Sequence, residues 1–273
     1  IAAKHASVET LAALLDVQFS QPPKRVTFTE NKDNLLNLAN KNNGNTPLLI
    51  AAKNGKADNV DFFIRCGADV NHPRDEYEDT ALHIAAQNGH VEVVGKLLEK
   101  AKDEYEQTAL YLAAKNGHVE VVDKLLENVK TYPETLKVLV DSKDKYEQTA
   151  LHLAAKNGHV EVVDKLLENS KDKYEQTALH LAAKNGHVEV VDKLLESVKT
   201  YPETLKNLLE AKNEYEQTAL HLAIMNGHVE VVDKLLESVK TYPETLKVLV
   251  EAKDEYEQTA LHLAAKNGHV EVV

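Results

Sequence analysis

TALHLAAKNGHVEVV, residues Thr149–Val163, is the stretch whose reading decides how this chain folds. Thr149 suits a helix N-cap, because its hydroxyl can accept from a backbone N–H two or three residues on. Leu151, Leu153, Ala154 and Ala155 then supply a short helix with an apolar face, and the paired alanines allow a second helix to approach closely. Asn157-Gly158 ends that helix, since glycine tolerates the left-handed conformation at the C′ position. Val160, Val163 and Leu167 follow at i, i+3 and i+7, with Val162 and Leu166 widening the stripe. The stretch reads as helix, tight turn, helix.

The same phrase begins seven times, at Thr46, Thr80, Thr108, Thr149, Thr177, Thr218 and Thr259. Self-similarity at this period marks a stacked-repeat architecture. One unit alone buries too little apolar surface to offset the entropy of ordering its backbone. Neighbours must cover the other side of each helix pair, so the array is the folding unit.

These residues resemble the ankyrin repeat, whose usual form runs T-P-L-H-x-A-A-x-x-G-H-x-x-V-V-x-x-L-L. The resemblance covers essentially the whole chain. It implies an all-α, ankyrin-type solenoid of antiparallel helix pairs. It also implies a non-catalytic scaffold that binds a protein partner on its concave side, through the first helices and the hairpin fingers. One array over residues 1–273 is expected: a partial repeat at 1–20, an irregular insert over about 18–45, then the seven repeats, the last one partial.

Departures from the family pattern are as informative. The threonines are spaced by 34, 28, 41, 28, 41 and 41 residues. The long units add thirteen residues, as in VKTYPETLKVLVD (Val129–Asp141), with close copies from Val198 and Val239. Pro133 suits the first helical position, Glu134 the first turn, and Leu136, Leu139 and Val140 one face. The spacing predicts a short third helix in each long unit, packed also by Leu205, Leu208 and Leu209 and by Leu246, Leu249 and Val250. A related helix is expected over Asp33–Ala39. In the finger, Gly44 keeps the usual glycine two residues before the threonine, but Glu78, Glu106, Glu147, Glu175, Glu216 and Glu257 replace it elsewhere. Glutamate pays for φ > 0 where glycine does not, so eroded fingers are expected through most of the chain.

Composition limits the partners. The net charge is −12, and lysines interleave with acids in every unit. That argues against nucleic acid, which needs clustered cations, and against an anionic membrane. No apolar run is long enough to span a bilayer. The single cysteine, Cys66, fits a reducing compartment; the expected location is the cytoplasm, or a host cytoplasm for a secreted bacterial effector. Ile1-Ala2-Ala3-Lys4 matches Ile50-Ala51-Ala52-Lys53 and Val273 falls within a second helix, as in a segment of a longer protein. A targeting arm of a larger effector or toxin, or a module that self-associates head to tail through uncapped ends, are therefore alternative readings.

Thirteen histidines invite a metal. Five hold the T-x-L-H place (His83, His152, His180, His221, His262) and six open the second helix (His90, His118, His159, His187, His228, His269). Equivalent places on stacked repeats lie too far apart to share a zinc ion, so hydrogen-bonding roles, with no metal and no cofactor, are expected. The carboxylates read as solvated surface, and no reaction motif is present. The candidate protein-binding residues are a tyrosine ladder (Tyr77, Tyr105, Tyr146, Tyr174, Tyr215, Tyr256), the groove lysines Lys115, Lys156 and Lys184, and Met225, which replaces lysine in LAIMNG. The tyrosines are either exposed anchors or packing for the next repeat; Met225 is either an adaptable contact or drift.

Overall fold

The computed structural model describes residues 36–40, 44–74, 79–99, 103–144, 146–169, 175–269 and 271. Among them the fold is all helical, with a single isolated β-bridge between Lys253 and Thr259. The chain divides into two compact units, one of Ile1–Ala113 with His118–Leu139 and one of Ala114–Gly117 with Val140–Val273.

The first unit contains α1 (Pro47–Lys53), α2 (Ala57–Arg65), α3 (Ala81–Gln87), α4 (Val91–Leu98), most of α5 (Asp103–Asn116), α6 (Val119–Val129) and most of α7 (Pro133–Asp141). First helices stack on first helices, α1 on α3, and second on second, α2 on α4 and α4 on α6. Phe62 and Phe63 pack edge to face in this core, their centroids 5.6 Å apart. Cys66, at the end of α2, is buried.

The second unit contains α8 (Ala150–Asn157), α9 (Val160–Asn169), α10 (Glu175–Asn185), α11 (Val188–Val198), α12 (Pro202–Glu210), α13 (Ala219–Met225), α14 (Val229–Ser238), α15 (Pro243–Glu251) and α16 (Ala260–Asn267). One layer runs α8, α10, α13, α16 and the other α9, α11, α14. The alanine pairs Ala154-Ala155 and Ala182-Ala183 lie between them with no exposed surface, whereas Ala265 in the last pair is exposed. Small side chains there let the layers close at interior density.

The third helices form where the proline and the apolar spacing place them, at α7, α12 and α15. α12 packs on α10, α11 and α15, burying Leu205, Leu208 and Leu209. The expected face needs correction elsewhere: Leu136 and Leu246 are only half-buried and Val250 is exposed. The helix expected over Asp33–Ala39 also changes. Residues 33–35 lie outside the described residues, Leu36 is helical, and Asn37–Ala39 are not.

The fingers divide by unit length. In the long units the turn survives with glutamate in the left-handed region, at φ 60° for Glu147, 57° for Glu216 and 62° for Glu257. An Asx turn holds it: Asp144 Oδ1 accepts from the backbone N–H groups of Tyr146 (2.8 Å) and Gln148 (2.9 Å). Asn213 and Asp254 do the same in their turns. In the short units the finger is absent, and the first helix starts early, at Asp103 and Glu175, running through Thr108 and Thr177. Those two threonines are therefore interior to a helix and are not caps.

Identical sequence adopts both states. AKDEYEQTAL occurs at residues 101–110 and again at 252–261. Its Asp103–Gln107 portion is helical in the first copy, whereas the second copy is a turn with Glu257 left-handed. The difference lies upstream. A third helix delivers the chain to the 252 copy, while the 101 copy follows a second helix directly. Glu, Gln and Tyr are tolerable in a helix, so tertiary context selects the state.

Candidate functional site: the open face of the first helices

Two histidine series hold the repeats. In the T-x-L-H series, His Nδ1 accepts from the backbone N–H of the capping threonine, at 3.0 Å for Thr80–His83, 2.9 Å for Thr149–His152 and 3.2 Å for Thr218–His221. The ring thus takes the place of the glutamate in a capping box. With Nδ1 accepting, the proton resides on Nε2. His221 Nε2 accordingly donates to the Ala252 carbonyl at 3.1 Å, and His180 Nε2 to Ala211 at 3.1 Å, each just past a third helix. Burial lowers the pKa of His221 below 6.5 and favours the neutral ring these bonds require.

The G-H series joins one repeat to the next. Nε2 of His159, His187 and His228 bonds the carbonyls of Lys115 (3.0 Å), Lys156 (3.0 Å) and Lys184 (3.1 Å). His90 and His118 do likewise to Lys53 and Gln87. Each ring lies over the glycine that ends the preceding first helix. A Cβ on Gly186, at φ +74°, would sit 2.6 Å from His228 Nδ1. Glycine is needed there twice, for the left-handed backbone and for the ring. Among the described residues no group of three or more His, Cys, Asp and Glu side chains is placed to hold a metal.

Along the surface of the first helices runs a row at the seventh position after each repeat threonine. In the second unit this row is Lys115, Lys156, Lys184, Met225 and Lys266, all exposed. Lys115, Lys156 and Lys184 share one geometry, since each carbonyl is held by the next repeat's histidine. Met225 is 36 % exposed, and its Sδ accepts from Gln217 Nε2 at 3.2 Å. Of the tyrosine ladder, Tyr146, Tyr215 and Tyr256 stand out from the finger turns at 69, 49 and 72 % exposure. Tyr77 and Tyr174 lie outside the described residues, and Tyr105 is on α5. Adjacent fingers are bonded: Lys212 Nζ donates to the Lys253 carbonyl at 3.0 Å, and the Glu255 N–H to the Tyr215 carbonyl at 3.2 Å.

Sequence reasoning overlooked a second tyrosine pair, Tyr132 and Tyr201, each exposed just before a third helix. The recurring T-Y-P of the inserts carried that signal. It also overlooked a groove of about 490 Å³ between α11, α12, α14 and α15, lined by Asp192, Glu196, Lys199, Lys234, Glu237 and Tyr242 among others. Lys234 bonds Asp192 across it at 3.0 Å, which raises the lysine pKa.

Helix pairs fastened by cap and ladder histidines, with an exposed outer row, define a class: tandem helical-repeat arrays. The chain belongs to the ankyrin repeat family. The protein-family model for ankyrin repeats (3 copies) matches residues 48–132, 128–202, 172–244 and 197–273. Among solved structures, the chain is similar to the human ASB11 ankyrin repeat domain. The identity is 25 % and the TM-score 0.62, over 81 % of this chain and 92 % of that one. No curated protein matches the chain. Ankyrin repeats are in general protein–protein interaction modules, and among the described residues no helix is long and apolar enough to cross a membrane.

Proposed function

We propose that this array is a non-catalytic scaffold that holds one protein partner across the open face of its first helices and the adjoining finger turns. One observation carries the reading. Most of the threonines, histidines, glycines and alanines of the described repeats are engaged in caps, ladders and core, while the seventh-position row and the finger tyrosines Tyr146, Tyr215 and Tyr256 face outward. Tyrosine buries much area at low entropic cost and is enriched at binding hot spots, and methionine adapts to a partner's shape.

Site-specific photocrosslinking in the native cell tests this. A photoreactive residue at Met225 or Tyr215 should capture a protein that one at Lys247, exposed on α15, does not. Equal capture at all three positions, or none, removes the reading.

A further inference from the structure

We infer that the partner presents an extended acidic segment to the seventh-position row. Its carboxylates recur at every third residue against Lys115, Lys156, Lys184 and Lys266, with one apolar side chain against Met225. This rests on the scaffold reading above and gives its partner a chemistry.

The argument begins with how this acidic chain uses its lysines. On the second helices Lys193 pairs with Asp164 at 3.2 Å and Lys234 with Asp192 at 3.0 Å. In the fingers Lys143 pairs with Glu147, Lys212 with Glu216 and Lys253 with Glu257. Among the described residues no ion pair involves Lys115, Lys156, Lys184 or Lys266. A lysine in the last turn also complements the helix dipole, but Met225 ends α13 without one, so the place does not demand a cation. The row therefore offers cations at regular intervals with no carboxylate among the described residues paired to them.

Spacing supplies the periodicity. Packed helices lie about 8–10 Å apart, and a peptide in the extended polyproline II conformation advances about 3.1 Å per residue with three residues per turn, which returns every third side chain to the same face. One repeat thus corresponds to about three residues of extended peptide. The order Lys, Lys, Lys, Met, Lys reads out as acid, acid, acid, apolar, acid at every third position. Exposed Glu214, Glu216, Glu255 and Glu257 on the neighbouring fingers oppose a nucleic acid, whose charge is continuous along its backbone. A peptide can place its carboxylates singly over the lysines and avoid them.

The test uses the full chain and a fluorescent peptide with glutamate at every third position and leucine in the Met225 register, made in both chain directions. We expect one direction to bind, with affinity falling about tenfold or more on Lys156→Glu/Lys184→Glu and on raising salt. Lys247→Glu, a charge reversal away from the row, should leave it unchanged, with far-UV circular dichroism confirming that each variant is folded. Met225→Lys should reverse the preference between the leucine peptide and one with glutamate there. Equal binding of a peptide with the same composition in shuffled order overturns the inference, as does indifference to the double reversal or tighter binding of single-stranded DNA. Crosslinking at Met225 separates the two failures. Capture of a partner through a segment lacking this acidic spacing overturns the inference and leaves the scaffold standing. Capture at Tyr215 but not at Met225 overturns the inference alone, and no capture at either above that at Lys247 overturns both.

Discussion

Gly186→Ala is expected to break one joint of the array by a known amount. Gly186 ends α10 at φ +74°, and an added Cβ would lie 2.6 Å from Nδ1 and 2.8 Å from Cε1 of His228. A left-handed alanine costs about 1–2 kcal/mol. Moving the ring costs its 3.1 Å bond to the Lys184 carbonyl, a further ~1 kcal/mol. The expected loss is about 2–3 kcal/mol. Gly67→Ala isolates the first contribution, because Gly67 has φ +87° and nothing within 4 Å of its Cβ position; it should cost only ~1–2 kcal/mol. His228→Ala alone loses the bond and its packing, about 1–2 kcal/mol. In the double variant the ring is already gone when the Cβ arrives, so the two losses should fall short of additivity by ~1 kcal/mol. The chain has no tryptophan, so urea unfolding is followed by far-UV circular dichroism. A Gly186→Ala cost no larger than that of Gly67→Ala, or strict additivity with His228→Ala, would refute the ring-on-glycine joint.

Three other outcomes are expected. Deleting Val129–Asp141 makes the link before SKDKYEQTAL identical to that of the following short unit; residues 144–148 should then change from turn to helix, seen as new protected amides in hydrogen exchange, and a persisting Asx turn would count against context control. Leu209→Ala in the buried face of α12 should cost about 2–5 kcal/mol, and the exposed Val250→Ala on α15 less than about 0.5 kcal/mol, by thermal or urea melts. His221 has its folded pKa below 6.5 through burial, so the stability from its neutral ring is complete above pH 6.5 and declines as pH falls from there towards the folded value. Comparing wild type with His221→Gln between pH 7.5 and 5 should show a shallower loss on acidification in the variant, and parallel curves would exclude that contribution.

The sequence disclosed those features that depend on residues next to one another. Threonine caps (Thr108 and Thr177 excepted), the glycine that ends a first helix, the alanine pairs and the proline-led third helices each act within a turn or two of chain, and each is where the spacing places it. The fingers were illegible for the opposite reason. AKDEYEQTAL takes two conformations in one chain, so no inspection of those ten residues could assign one. Glutamate at φ near +60° is tolerated because an Asx turn and an i,i+4 lysine hold the long-unit loop, and both come from residues that the short units also contain. Val250 illustrates a second limit. Its apolar spacing matches Leu209, yet Leu209 is buried and Val250 is exposed. Periodicity marks a face but not whether a neighbour covers it.

Uniformity itself limits what the first-helix face can recognise. If every repeat offered lysine at the seventh position, an acidic segment displaced by one repeat would meet the same charges as before, and register would be degenerate. Met225 removes that degeneracy. A slip of one repeat sets a carboxylate against the thioether and an apolar side chain against Lys184 or Lys266, so both contacts are lost together. On the acidic-segment inference, specificity comes from the mismatched complexes as much as from the matched one. The neighbouring substitution, Ile224, occupies a place held by alanine in LAAKNG repeats and is buried. It adds core volume beside the methionine.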